Sequence, residues 1–198
     1  MSLNPNSKLV DNLFDTKAIK RAGTRDGYGQ GLVELGKQDP RVVVLCADLS
    51  ESTRSNLFQK AFPERYVEIG VAEQNLITVG AGLAAAGKVP YMASYAAFSP
   101  GRCWEQIRTT FGYNHLHGVV AGAHAGVSVG PDGATHQAVE DIATMRTIAG
   151  ATVLVPCDSV RAQQATMATI HGDHLYYIRF GRDKYPIFTT EQTPFQIG

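Results

Sequence analysis

The chain has 198 residues, 44% of them hydrophobic, which suffices for one sizeable core at the usual ~100–200 residues per domain. Its 18 Lys and Arg balance 18 Asp and Glu, and with no Lys/Arg run there is no field to gather nucleic-acid phosphates or an acidic membrane surface. Small molecules and protein partners remain. No run of about 18 apolar residues occurs, and Met1-Ser2-Leu3-Asn4-Pro5-Asn6 lacks the charged and apolar regions of a signal peptide, so it reads as an expression scar within an irregular lead-in over 1–15. The three cysteines, Cys46, Cys103 and Cys157, form neither CxxC nor Cys/His metal spacing. Two fall in or just after apolar strand-like runs, which suits buried thiols in a reducing compartment; the expected location is cytoplasmic.

In chain order, Thr16 to Lys37 has helical spacing at Ile19, Ala22, Leu32 and Leu35, and Asp39-Pro40 then turns the chain. Six apolar, β-branched or aromatic runs follow: Arg41–Leu49, Tyr66–Gly70, Val89–Tyr95, Leu116–Ala121, Thr152–Pro156 and Leu175–Phe180. Each is apolar on both faces, as strands covered on two sides must be. Helix-compatible segments lie between them, at Glu51–Ala61, Ala72–Ala86, Pro100–Tyr113, His136–Ile148 and Ser159–Ile170. The alternation predicts an α/β fold: a three-layer, doubly wound sheet of about six mainly parallel strands with helices on both faces. One domain over 16–188 is expected, with 189–198 an irregular linker. In such sheets the loops leaving the carboxyl ends of the strands carry the site, and Asp48, Glu73, Phe98, His124, Asp132 and Arg182 all fall there.

Glu73 stands where the strand at Tyr66–Ile69 gives way, past Gly70, to a Gly/Ala-rich helix with Leu76, Val79 and Leu83 as its buried stripe. Taken alone, an acid there complements the helix dipole, worth roughly 0.3–1 kcal/mol. The other reading is a catalytic carboxylate, and what decides between them lies elsewhere in the chain. A second informative stretch, Ala123 to Gln137, is a Gly-rich loop with His124, Asp132 and His136; a purely structural loop needs the glycines but not both histidines. Arg179 lies three positions before Arg182 and points to the opposite face if the strand continues through Gly181, where it either supports the site from behind or pairs with an acid; the sequence leaves both open.

Gly70-Val71-Ala72-Glu73-Gln74-Asn75, followed about 60 residues later by Asp132-Gly133-Ala134-Thr135-His136-Gln137, resembles the pyrimidine-binding domain of transketolase-type thiamine diphosphate enzymes. The likeness spans about Lys20 to Pro186, and the two motifs are specific jointly rather than singly. The resemblance implies that Glu73 is the carboxyl group held against the N1′ nitrogen of thiamine, driving the aminopyrimidine toward its imino form so that the 4′ nitrogen can deprotonate the thiazolium carbon. It further implies that Phe98 and Tyr95 bracket the pyrimidine and that Asp48 is an acid near the cofactor. Asp132 and His136 would lie near the reacting hydroxyls, with His136 taking part in catalysis. His124, Arg25, Ser52 and Arg182 would hold the phosphate end of a sugar phosphate, where arginines give charge-assisted bonds.

The family's diphosphate site, Gly-Asp-Gly followed by an Asn, has no counterpart here, and the family's third domain is also expected to be missing. The resemblance therefore implies half of an active site: a diphosphate-binding transketolase subunit or domain would hold Mg²⁺ or Ca²⁺, with no metal on this chain, and the isolated chain would be inactive and prone to homo-oligomerise. It would be either cut from a longer transketolase or part of the smaller subunit of a split one. Ketol transfer between sugar phosphates is the expected activity. Deoxyxylulose-phosphate synthase is a relative that Ser94-Tyr95-Ala96-Ala97 disfavours. A 2-oxo acid dehydrogenase beta-type domain is a further alternative, to which Asp132 to Gln137 with His124 is less suited than to sugar hydroxyls, and a non-catalytic interaction module that retains the fold would have no need of the Glu73 carboxylate.

Overall fold

The computed structural model describes residues 5–197, so most of the stretch read as an expression scar, Met1 to Asn4, lies outside the described residues. The first half of the chain forms β1 (Arg21–Gly23), α1 (Thr24–Gln38), β2 (Val42–Cys46), α2 (Ser50–Thr53), α3 (Ser55–Ala61), β3 (Tyr66–Glu68), α4 (Glu73–Ala85) and β4 (Val89–Tyr95). The second half forms α5 (Trp104–Gln106), which widens into a π-helical Ile107–Gly112, then β5 (Gly118–Ala123), α6 (Asp141–Arg146), β6 (Thr152–Leu154), α7 (Ser159–Ala168), β7 (Leu175–Arg179) and β8 (Lys184–Pro186). Six strands make one sheet in the order β3-β2-β4-β5-β7-β6, parallel throughout, while β1 and β8 pair antiparallel as a separate ribbon.

The three layers follow from strand alternation. Val42, Val44 and Cys46 of β2 face one core with Tyr28, Leu32 and Leu35 of α1 and Phe58 of α3. Val43, Leu45 and the following Ala47 face the other, with Leu76, Ile77 and Ala81 of α4, then Ile107, Phe111 and Met145. Strands β2, β4 and β5 are buried along their whole length, which is why they carry almost no polar residues. Each large aliphatic or aromatic side chain so placed contributes about 1.5–3 kcal/mol of burial. On the first face α1 lies so close to α7 that a Cβ at Gly27 would fall 1.8 Å from the Ser159 carbonyl oxygen. No other residue fits there.

Four expected elements differ in extent. The helix expected from Thr16 begins only at Thr24: Arg21–Gly23 is a strand bonded to Lys184–Pro186, and the Asp26 carboxylate accepts from the Gly23 amide at 3.0 Å to fix the start of α1. Glu51–Ala61 is two helices, broken at Arg54, whose φ is 66°. The segment expected as a helix from Pro100 runs through tight turns to Cys103 before α5 starts, with Arg102 N–H donating to the Phe98 carbonyl at 2.9 Å. Of His136–Ile148 only Asp141–Arg146 is α-helical, because Gly130 and Gly133, at φ 67° and 77°, fold Val127–His136 into short 3-10 turns. Among the cysteines, Cys46 and Cys103 are buried and Cys157, expected inside, is exposed.

Candidate active site

Because the sheet is parallel, the carboxyl ends of β2, β3, β4, β5 and β7 share one edge, and the site is assembled along it. At the β2–β3 end the Glu68 carboxylate accepts from the Asp48 amide at 2.7 Å, the Gly70 amide at 2.9 Å and the Tyr66 hydroxyl at 2.8 Å. This ties down two left-handed turns, Asp48 at φ 57°, which costs a residue with a Cβ, and Gly70 at φ 75°, which costs a glycine little. The chain then reverses into α4 with Glu73 as its first residue and only 2% of that residue exposed. Its Oε2 accepts from Arg102 Nη1 at 2.9 Å. The guanidinium carbon of Arg102 in turn lies 4.9 Å from the centre of the Phe98 ring. Acid, planar cation and aromatic ring thus form one short stack.

Phe98 continues the stack inward. Its ring lies 6.1 Å from that of Tyr95 and nearly parallel to it, and the His136 ring sets its edge toward both, at 5.2 Å from Phe98 and 6.2 Å from Tyr95. Tyr95 also lies 4.2 Å from the His124 ring and donates its hydroxyl to Ser52 Oγ at 3.2 Å. Arg25 Nη1 is 3.0 Å from His124 Nε2 and 3.2 Å from the Ser52 carbonyl oxygen. Since a guanidinium can only donate, Nε2 accepts and the imidazole proton belongs on Nδ1, a buried atom with no partner of its own. Burial first, then the charges of Arg25 and Arg182, push the His124 pKa down to about 4, so this imidazole is neutral at physiological pH. Burial and the nearby Arg54 likewise lower the pKa of Arg25.

Two further arginines, each beside an acid, stand close to Arg25 and His124. Arg182 donates from Nη1 to the Val129 carbonyl oxygen and lies 3.6 Å from Asp132 Oδ2, while Arg54 is held by Asp26 at 2.6 Å. Arg179 points away and pairs with Asp141 at 2.8 Å beside the Tyr177 hydroxyl, which donates to the same oxygen at 2.6 Å. Of the two roles open to that arginine, pairing with an acid is the one realised. The structure therefore brings Tyr95, Phe98, His124, His136, Arg25 and Ser52 into one cluster, flanks it with the Arg182–Asp132 pair, and joins Glu73 to it through Arg102. Asp48 is exposed on the same edge, and its side chain makes none of the contacts that link the others. Arg102, Glu68 and Arg54 were not singled out from the sequence. Of these only Arg102 left a trace there, four residues after Phe98, the distance at which side chains meet across one turn.

The layering, the all-parallel sheet and a polar, aromatic-floored edge define an α/β protein with a ligand site at the carboxyl ends of its strands. The chain belongs to the transketolase pyrimidine-binding domain family, whose model matches residues 20–187. It is 43% identical over 178 residues to a transketolase C-terminal section of Methanocaldococcus jannaschii, covering 89% of this chain and 56% of that protein. To human transketolase it is 34% identical over 191 residues, covering 96% of this chain and 30% of the enzyme. Among solved structures, a split-gene transketolase described as an inactive beta4 tetramer superposes with a TM-score of 0.79 at 40% identity, covering 89% of this chain and 57% of that one. The chain thus spans little more than half the length of the split-type relatives and about a third of the single-chain one.

The residues present suit the pyrimidine ring of the family's cofactor, thiamine diphosphate. Arg102 already brings a planar group with N–H donors against both the Glu73 carboxylate and the Phe98 face, and those are the two contacts that an aminopyrimidine would use.

Proposed function

We propose that this chain is the pyrimidine-binding half of a thiamine diphosphate-dependent transketolase site. With a diphosphate-binding subunit or domain that holds Mg²⁺ or Ca²⁺, it transfers a two-carbon ketol unit between sugar phosphates. The observation that carries this reading is the buried Glu73 carboxylate, set at a helix start and linked through Arg102 to the Phe98 ring. When bound, the cofactor supplies a thiazolium carbon that can take up and release the ketol unit. Glu73 holds and returns a proton at a ring nitrogen, a bond strengthened by the burial of its carboxylate. Phe98 and Tyr95 fix the plane of the ring, and the neutral His124, with His136, can accept or donate at sugar hydroxyls without adding charge. Arg25 and Arg182 supply the cationic end for a phosphate. Asp132 orients Arg182 and faces the substrate's hydroxyls, and Ser52 positions Tyr95 and Arg25. Asp48 would meet the cofactor from the rim.

The inactive tetramer of the split-gene relative supports dependence on a partner, and the transketolase subunit that acts on 6-deoxy-6-sulfo-D-fructose in a Clostridium relative, 36% identical over 185 residues, supports a sugar substrate. Three unpaired cysteines, two of them buried, support a reducing, cytoplasmic setting. Among the described residues no helix is long and apolar enough to cross a membrane. The test is Glu73→Gln, reassembled with a diphosphate-binding partner and assayed for ketol transfer. The expected loss is about 10²–10⁴-fold, the usual contribution of a positioned acid or base. Transfer at the parental rate would remove Glu73 from the mechanism.

A further inference from the structure

Arg102 lies outside the two motifs that carry the resemblance, yet it stands between the acid and the aromatic ring of the proposed ring site. Its Nη1 donates to Glu73 at 2.9 Å, and its guanidinium lies over Phe98 at 4.9 Å. The carboxylate beneath it is almost wholly buried, while the arginine side chain is half exposed, at 51%. A cleft of about 470 Å³ opens beside the pair, between Val71–Asn75 and Gln106. The backbone keeps the arginine in reach: Gly101 leaves room that a Cβ would lose, 2.1 Å from the Ala97 carbonyl oxygen, and the Arg102 amide is bonded to Phe98.

We propose that Arg102 is a placeholder that fills the pyrimidine site of the cofactor-free chain and must swing out before a ring can enter. The proposal rests on the reading of Glu73 given above. A guanidinium is flat and carries N–H donors for the acid and a face for the aromatic ring, as an aminopyrimidine does once its N1′ takes the proton shared with Glu73, so it neutralises and covers a buried carboxylate that would otherwise stand unpaired. Half of its surface lies in water, so leaving costs it little solvation. Cofactor affinity is then lowered by the fraction of molecules in which the site is filled by the arginine.

The test needs no activity. Binding of 4-amino-2-methylpyrimidine to the full 198-residue chain is measured by calorimetry for the parent, Arg102→Ala, Arg102→Gln and Glu73→Gln. The placeholder predicts about tenfold tighter binding for both Arg102 variants, and loss of binding for Glu73→Gln. Equal binding by the parent and both Arg102 variants, with loss in Glu73→Gln, overturns the placeholder while leaving Glu73 as the ring's partner. Weaker binding in the Arg102 variants also overturns it and makes the arginine a ligand of the ring. Binding that Glu73→Gln leaves intact, or no binding by any form, overturns the assignment of Glu73 and the placeholder with it. Arg102→Gln keeps a polar side chain beside the acid, so a folding defect in Arg102→Ala alone does not obscure the result.

Discussion

Among the described residues three buried carboxylates stand at helix starts, Glu73, Asp141 and Asp158, and the first and last of them are held in opposite ways. Asp158 caps α7 and is fully buried; it accepts from the amides of Arg161, Phe188 and Thr189 at 2.9, 3.1 and 2.9 Å and from the Thr189 hydroxyl at 2.8 Å. Glu73 begins α4 equally hidden, but its one side-chain partner is an arginine that is half in solvent. Both gain from the helix dipole. Only Asp158 is matched by donors that cannot leave, so it serves the fold, whereas Glu73 is matched by a donor that can be exchanged. The difference separates a structural anion from a chemical one more sharply than residue type or burial does.

The largest effect expected from this contrast is the loss of ketol transfer, about 10²–10⁴-fold, in Glu73→Gln, with thermal stability changed by no more than about 1 kcal/mol because its partner is solvated. The opposite split is expected at Asp158. Asp158→Ala should cost about 2–4 kcal/mol in denaturant unfolding, through a lost cap and buried amides left without an acceptor. If Asp158→Ala proved neutral, or if Glu73→Gln unfolded the chain, the contrast would fail.

His124 sharpens it next, as a buried group kept uncharged. Its folded pKa of about 4 lies below the ordinary 6.5, so the unfolded chain takes up the proton first as the pH falls. The stability linked to it is complete above about pH 6.5 and is lost toward about pH 4, by about 2 kcal/mol at about pH 5. His124→Asn should flatten that part of the stability profile; an unchanged slope would place the acid sensitivity elsewhere. The smallest effect is expected at Tyr95→Phe, which keeps the ring stack and removes one bond to Ser52. A loss of about 0.5–1.5 kcal/mol in chemical denaturation is expected.

Much of this was legible in the sequence for a physical reason. Strands covered on both faces must be apolar throughout, so β2, β4, β5 and β7 announced themselves, and with them the edge on which Glu73, Phe98 and His124 stand. What stayed hidden depended on long-range partners. Arg21–Gly23 reads as helix until Lys184–Pro186 is placed beside it, and the Gly-rich loop holding Asp132 and His136 has no periodicity from which to infer its 3-10 turns. Arg102 left only its spacing from Phe98 as a trace, for a similar reason. An exposed arginine after a glycine looks like an ordinary solvated charge until the turn at Phe98–Arg102 folds it onto Glu73. Asp48, placed on that edge by the strand pattern and given a role only by resemblance, is the site residue whose surroundings say least about that role.

The closeness of α1 to α7 has a bearing on how the chain comes to be folded at all. Gly27 needs Ser159 beside it, β1 needs β8, and the Val10 amide bonds to the Phe188 carbonyl oxygen at 3.0 Å. The opening stretch therefore finds its partners only after nearly the whole sequence has been synthesised. Domains with such non-local contacts fold slowly, since loop closure is paid for before the contacts reward it. During synthesis Tyr28, Leu32 and Leu35 can meet Val42, Val44 and Phe58 early, but the side of α1 at Gly27 and Gly31 waits uncovered for α7, a period in which a nascent chain is open to chaperones and to misassembly.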